Sequence, residues 1–238
     1  MNTVSSTDPS FRKTFLYLYL LIAVVDLLAT ATGYEHWRYA TKPLLMPALI
    51  GFFLANASQG PLNKWIVFAL FFSWLGDVLL LFESRQSIFF LLGLSAFLAA
   101  HIFYIWFFHH LREAEQIKNR PTFLIIVALY YATLITILYP SLGDMRIAVP
   151  VYGIVISFML LVAMHMLFLE NKPAGRLMLA GVLLFVISDS LLALNKFYQP
   201  FFGAGVMIML TYIMAQLLIV TGALRYIRMA KTVVPNAI

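Results

Sequence analysis

Residues 63–82 read Asn-Lys-Trp-Ile-Val-Phe-Ala-Leu-Phe-Phe-Ser-Trp-Leu-Gly-Asp-Val-Leu-Leu-Leu-Phe, and residues 175–195 read Gly-Arg-Leu-Met-Leu-Ala-Gly-Val-Leu-Leu-Phe-Val-Ile-Ser-Asp-Ser-Leu-Leu-Ala-Leu-Asn. Each run is long enough to cross a hydrocarbon core as a helix, which takes about 20 apolar residues. Each carries one aspartate beyond its midpoint, Asp77 and Asp189. A charged side chain at the centre of such a helix costs roughly 2.5–3.5 kcal/mol on insertion scales, so it is rare and usually kept for function. The settings match as well. Gly76-Asp77-Val78-Leu79-Leu80 is followed by Glu83, and Ser188-Asp189-Ser190-Leu191-Leu192 by Asn195, each six residues past its aspartate. Two related halves that each donate a carboxylate to one polar site account for the pattern.

The rest of the chain agrees with a membrane reading. Hydrophobic residues make up 63% of its 238 positions and charged residues 11%, with a mean hydropathy of +0.91. Soluble domains carry about 25% charged residues. The apolar runs are continuous rather than alternating, so they predict helices and not the strands of a barrel. The fold class is therefore an all-α, multi-pass integral membrane protein. Cysteine is absent, which excludes disulfides, thiolate metal sites and a cysteine nucleophile. The net charge of +6 comes from basic residues at helix ends, with no basic stripe, so nucleic acid is not a partner. Arg12 and Lys13 precede an apolar run too long for a signal-peptide core and without a small-residue cleavage site, which predicts a retained first span.

Eight spans are expected, at roughly 14–32, 43–57, 63–82, 87–108, 122–140, 147–169, 175–195 and 202–225. They form a single eight-helix domain over residues 13–228, between a flexible N-terminal tail (1–12) and a C-terminal tail (229–238). Pro43, Pro61, Pro121, Pro173 and Pro200 fall at the span boundaries, where a missing N–H matters least. With the N-terminus in the cytoplasm, 11 of the 16 Lys and Arg residues lie inside and 5 outside, the expected bias for an N-in, C-in protein. Spans three and seven then run in the same direction and place Asp77 and Asp189 at a shared depth, towards the outer face. Four spans per half makes the halves parallel repeats about an axis along the membrane normal.

Other polar residues inside the spans suggest walls for a common chamber. His101 and Tyr104 share a face of span four; Tyr212 and Gln216 share one on span eight. Ser188 shares a face with Asn195, and Asp189 with Lys196. Spans three, four, seven and eight are expected to enclose this chamber. Asp26 lies nearer the end of its span, within reach of interfacial water, and His165 near the inner end of its own. No Gly-x-Ser-x-Gly elbow, His-Glu-x-x-His motif or phosphate loop is present. The five histidines are scattered in depth, so no metal site and no cofactor are expected. Two carboxylates facing one dry cavity are suited to act as a general acid beside a base or charge stabiliser.

In order and spacing the chain resembles the YhhN-like membrane proteins, whose characterised members are lysoplasmalogenases. The matching elements are Lys42-Pro43; Gly76-Asp77 with Leu79 and Leu80; Phe90, Gly93, Phe97, His101 and Tyr104; Ser188-Asp189 with Ala193 and Phe197; and Tyr212 with Gln216. They cover residues from about 42 to 220. The first span matches only as a hydrophobic segment, so Asp26 inherits no role. The resemblance implies hydrolysis of the vinyl ether bond of a lysoplasmalogen, giving a long-chain aldehyde and a glycerophosphoethanolamine or glycerophosphocholine. The partners it implies are a lysophospholipid substrate and the lipid bilayer; the oligomeric state is left open.

That chemistry needs no serine nucleophile and no metal. A vinyl ether protonated on carbon gives an oxocarbenium ion, which water attacks. Glycosidases meet a related ion with paired carboxylates. Asp77 and Asp189 are the expected acid and base, in either order. Lys42, with Arg38 and Lys196 behind it, is expected to meet the phosphate at the outer end, and Glu83 an ammonium head group. His101 and Tyr104 are expected to orient the carboxylates or relay protons; Ser188, Asn195, Tyr212 and Gln216 are expected to line the substrate site. The alternatives are a proton-coupled carrier of a small amphiphile, which uses the same intramembrane Asp and His residues, and a non-catalytic lipid-binding protein. The expected location is the inner membrane in a bacterium and an internal membrane such as the endoplasmic reticulum in a eukaryote.

Overall fold

The computed structural model describes residues 9–233. Of the two expected tails, residues 1–8 and 234–238 lie outside the described residues; helix begins at Pro9 and continues to Val233 at the other end. Eight long helices follow in order: α1 (Pro9–Thr32), α2 (Glu35–Asn56), α3 (Asn63–Leu80), α4 (Ile88–Ala114), α5 (Pro121–Leu138), α6 (Ala148–Met164), α7 (Lys172–Ala193) and α8 (Ala204–Val233). Among the described residues there is no strand. Helix is what an apolar chain must adopt in lipid, where every backbone N–H and C=O has to be satisfied within its own segment. Seven of the helices are long and apolar enough to cross a membrane. The eighth, α2, falls below that measure because its first turns carry Arg38, Thr41 and Lys42 and it contains two prolines.

The start of α2 corrects a sequence expectation. The apolar run puts Pro43 at a span boundary, yet the helix begins eight residues earlier and holds both Pro43 and Pro47 inside it. Pro47 has no N–H for the carbonyl of Pro43, one turn back. Trp74 of α3 supplies the missing donor: its indole N–H reaches the Pro43 oxygen at 2.9 Å. A neighbouring helix thus re-satisfies the backbone group that proline frees, and α2 stays continuous.

Helices α2, α3, α4, α6, α7 and α8 pack side by side in that order, and α8 returns to α2 to close a ring. Helix α1 lies on the outside against α2 and α8, tied by the Tyr19 hydroxyl, which donates to the Ile213 carbonyl at 2.8 Å. Helix α5 lies outside against α6 and turns Leu124, Ile125, Ile126 and Leu129 outwards, the face a helix presents to acyl chains. The packing order has a four-helix period. The pairs α1–α2, α2–α3, α3–α4 and α4–α6 have counterparts in α5–α6, α6–α7, α7–α8 and α8–α2.

Small residues set the closest approaches, as they do between membrane helices generally. A Cβ added at Gly181 of α7 would lie 2.7 Å from the Ala215 carbonyl oxygen of α8. One added at Gly76, beside Asp77, would lie 2.6 Å from the Phe97 ring of α4. These two contacts draw α7 onto α8 and α3 onto α4, leaving the ring's open interior towards the end where α3 and α7 finish.

Candidate active site

That interior is a cavity of about 350 Å³ at one end of the bundle, lined by all six ring helices. The enclosure is wider than the four-helix chamber expected from the sequence, since α2 supplies Arg38, Tyr39 and Lys42 and α6 supplies Val149 and Tyr152. Leu80, Leu94, Phe97, Leu192 and Met209 give it apolar walls. Asp77 and Asp189 both line it, each one turn before the end of its helix. The two carboxylates therefore face a single hollow.

Their immediate neighbours differ. Asp77 is almost wholly buried; the Tyr212 hydroxyl of α8 donates to its Oδ2 at 2.6 Å, and the Lys42 ammonium of α2 stands 3.6 Å from its Oδ1. Asp189 is reached by the Tyr152 hydroxyl of α6, which donates to Oδ2 at 2.5 Å. His101 Nε2 of α4 is 3.8 Å from the same oxygen, too far for a hydrogen bond. His101 is fully buried against Tyr152 and Phe185, and neither of its ring nitrogens has a hydrogen-bond partner. Each aspartate thus has one tyrosine, but among the described residues only Asp77 has a Lys or Arg beside it.

From the sequence, Lys42 is expected as an outward phosphate anchor. It is 7% exposed and turns to Asp77 instead, because the helix carrying it starts two turns earlier than the apolar run and brings it level with the end of α3. Arg38, one turn before it, lines the cavity nearer the end of the bundle. Glu83 lies at the rim and is paired with Lys196 at 3.3 Å; both side chains are partly exposed. Ser188 lines the cavity while its hydroxyl donates to the Ile208 carbonyl at 2.9 Å. Asn195 lines it too, its side-chain oxygen accepting the Phe201 N–H at 3.3 Å.

Three residues expected in the lining, His101, Tyr104 and Gln216, stand behind the wall. Tyr104 and Gln216 are fully buried and bonded to each other at 2.5 Å, and Gln216 donates onward to the Ser73 hydroxyl at 3.0 Å. Asp26 does not reach interfacial water: it is completely buried and accepts from Thr41 at 2.6 Å, with Oδ2 unpartnered. His165 is a structural tie. Its Nδ1 meets the Leu161 carbonyl at 2.9 Å, and its Nε2 accepts the Arg120 N–H at 3.2 Å. Among the described residues no three His, Asp or Glu side chains converge as a metal site would require.

Tyr152 is a cavity-lining side chain, bonded to Asp189, that sequence reading missed. No motif marks it, and a tyrosine in a span is ordinary; only the packing of α6 beside α7 brings its hydroxyl to Asp189.

A ring of apolar helices around a mostly apolar cavity with two tyrosine-held carboxylates defines an integral membrane protein with a paired-carboxylate cavity in its helical bundle. The chain belongs to the YhhN family, whose model matches residues 37–223, a stretch that contains every cavity-lining residue. It is similar to human lysoplasmalogenase TMEM86B, 31% identical over 185 residues that cover 77% of this chain and 74% of the relative. Human lysoplasmalogenase TMEM86A is 35% identical over 178 residues, 73% of this chain and 69% of the relative. A lysoplasmalogenase of Mycobacterium tuberculosis is 29% identical over 163 residues, 67% and 60% of the two chains. No solved structure matches the chain.

Proposed function

We propose that this protein hydrolyses the vinyl ether bond of lysoplasmalogens, releasing a long-chain aldehyde and a glycerophosphoethanolamine or glycerophosphocholine. The observation that carries the reading is that Asp77 and Asp189 line one cavity, in a chain similar over most of its length to proteins named lysoplasmalogenase.

The residues divide the work. A buried carboxylate carries negative charge at least cost beside a cation, so Asp77, with Lys42 at 3.6 Å, is the anionic member. Asp189 has no such Lys or Arg partner among the described residues and serves as the proton donor. It passes its proton to the alkene carbon remote from the ether oxygen, and positive charge develops on the adjacent carbon and that oxygen. Asp77 stabilises this charge and takes a proton from the water whose oxygen bonds to the cation. The resulting hemiacetal returns its hydroxyl proton to Asp189. Its bond to the glycerol oxygen breaks, and that oxygen takes the proton held by Asp77. Both carboxyl groups are then back in their starting states. Tyr152 and Tyr212 hold the Oδ2 atoms, so Oδ1 of Asp189 is the oxygen proposed to carry the proton, while Oδ1 of Asp77 faces Lys42.

The test is aldehyde release by the purified protein in detergent, from vinyl ether, alkyl ether and ester lysolipids of matched chain length. Aldehyde from the vinyl ether lipid alone is the expected result. No aldehyde from that lipid contradicts the reading, and solute flux into liposomes without aldehyde marks the carrier instead.

A further inference from the structure

We propose that Arg38 is the phosphate anchor of the cavity, binding the phosphodiester of a lysophospholipid head group. The proposal rests on the reading of the cavity as a lysolipid site. Three cations stand at or beside it. Lys42 is committed to Asp77 and Lys196 to Glu83. Arg38 lines the cavity, makes no ion pair among the described residues, and has its Nε shielded from solvent without an acceptor. A buried N–H left unpaired is costly, so the guanidinium is set to gain from an anion that enters. Its planar fork suits two phosphate oxygens at once, which an ammonium does not.

The spacing fits the substrate. Arg38 precedes Lys42 by one helical turn, which is about 6 Å along the axis of α2. Lys42 marks the level of Asp77, where the bond is broken, and the glycerol backbone bridges a similar gap between the ether oxygen and the phosphate. Leu94, Phe97 and Met209 line the same cavity and offer the alkenyl chain an apolar wall.

The experiment measures binding, not turnover, using three probes that the enzyme does not cleave: a 1-O-alkyl lysophosphatidylethanolamine, the matching 1-O-alkylglycerol, and glycerophosphoethanolamine. The wild-type protein is expected to bind the alkyl lysophospholipid about 10- to 100-fold more tightly than the alkylglycerol. Arg38→Gln is expected to erase that ratio while the alkylglycerol still binds, and Arg38→Lys to restore it only in part. Glycerophosphoethanolamine separates the two sources of phosphate: weak binding that is lost in Arg38→Gln places the anion site without its chain. An unchanged ratio in Arg38→Gln or a full ratio in Arg38→Lys overturns the proposal. Either result leaves the hydrolase reading intact, because no step of catalysis is read.

Discussion

Tyr104 donates its hydroxyl proton to the Gln216 side-chain oxygen, and the two are separated by 112 residues, the same interval that separates Asp77 from Asp189. Two residues at that interval therefore touch each other, as a two-fold relation between the halves would require. The packing order repeats with a four-helix period as well. Tyr104 and Gln216 join α4 to α8 in the buried core and are not part of the cavity wall.

Tyr104→Phe accordingly strands the Gln216 oxygen in a buried setting. A loss of about 1–3 kcal/mol in stability is expected, with turnover of the folded protein close to wild type. Thermal unfolding in detergent beside an aldehyde assay checks both halves of that statement.

The tyrosines on the carboxylates behave differently. Tyr152→Phe and Tyr212→Phe each remove one donor from a group that changes charge during the reaction, and a fall in kcat of roughly 100-fold is expected. KM changes little, because neither hydroxyl is proposed to hold the head group. Steady-state kinetics distinguish this from a packing defect.

Lys42→Met leaves the Asp77 charge buried and unpaired, which costs about 3–5 kcal/mol. Adding Asp77→Asn removes that charge, so the double variant regains stability while remaining inactive. A double-mutant cycle on unfolding, with activity measured alongside, tests the pair.

Much of the fold was legible because a helix in lipid announces itself by a long apolar run, and Asp77 and Asp189 were legible because a carboxylate in such a run is costly. The start of α2 was not, since Pro43 reads as a boundary until Trp74 is seen to serve its carbonyl. Tyr152 and the inward turn of Lys42 were hidden for a related reason. Both depend on which helices become neighbours, and the placing of α6 beside α7 and of α2 beside α3 is decided by packing that apolar sequences leave open.

Hydrolysis in D2O reports where the proton goes. Protonation on carbon predicts one deuterium on the aldehyde carbon next to the carbonyl, read by mass spectrometry. Aldehyde free of deuterium there excludes the carbon-protonation step.

The most direct measurement is the rate of aldehyde release by Asp77→Asn, Asp189→Asn and the double variant, each confirmed as folded. Acid–base groups contribute about 10²- to 10⁴-fold, so each single variant is expected to fall by that order, and the double variant to fall little further because the two carboxylates act as a unit. Wild-type release from either folded single variant contradicts the account.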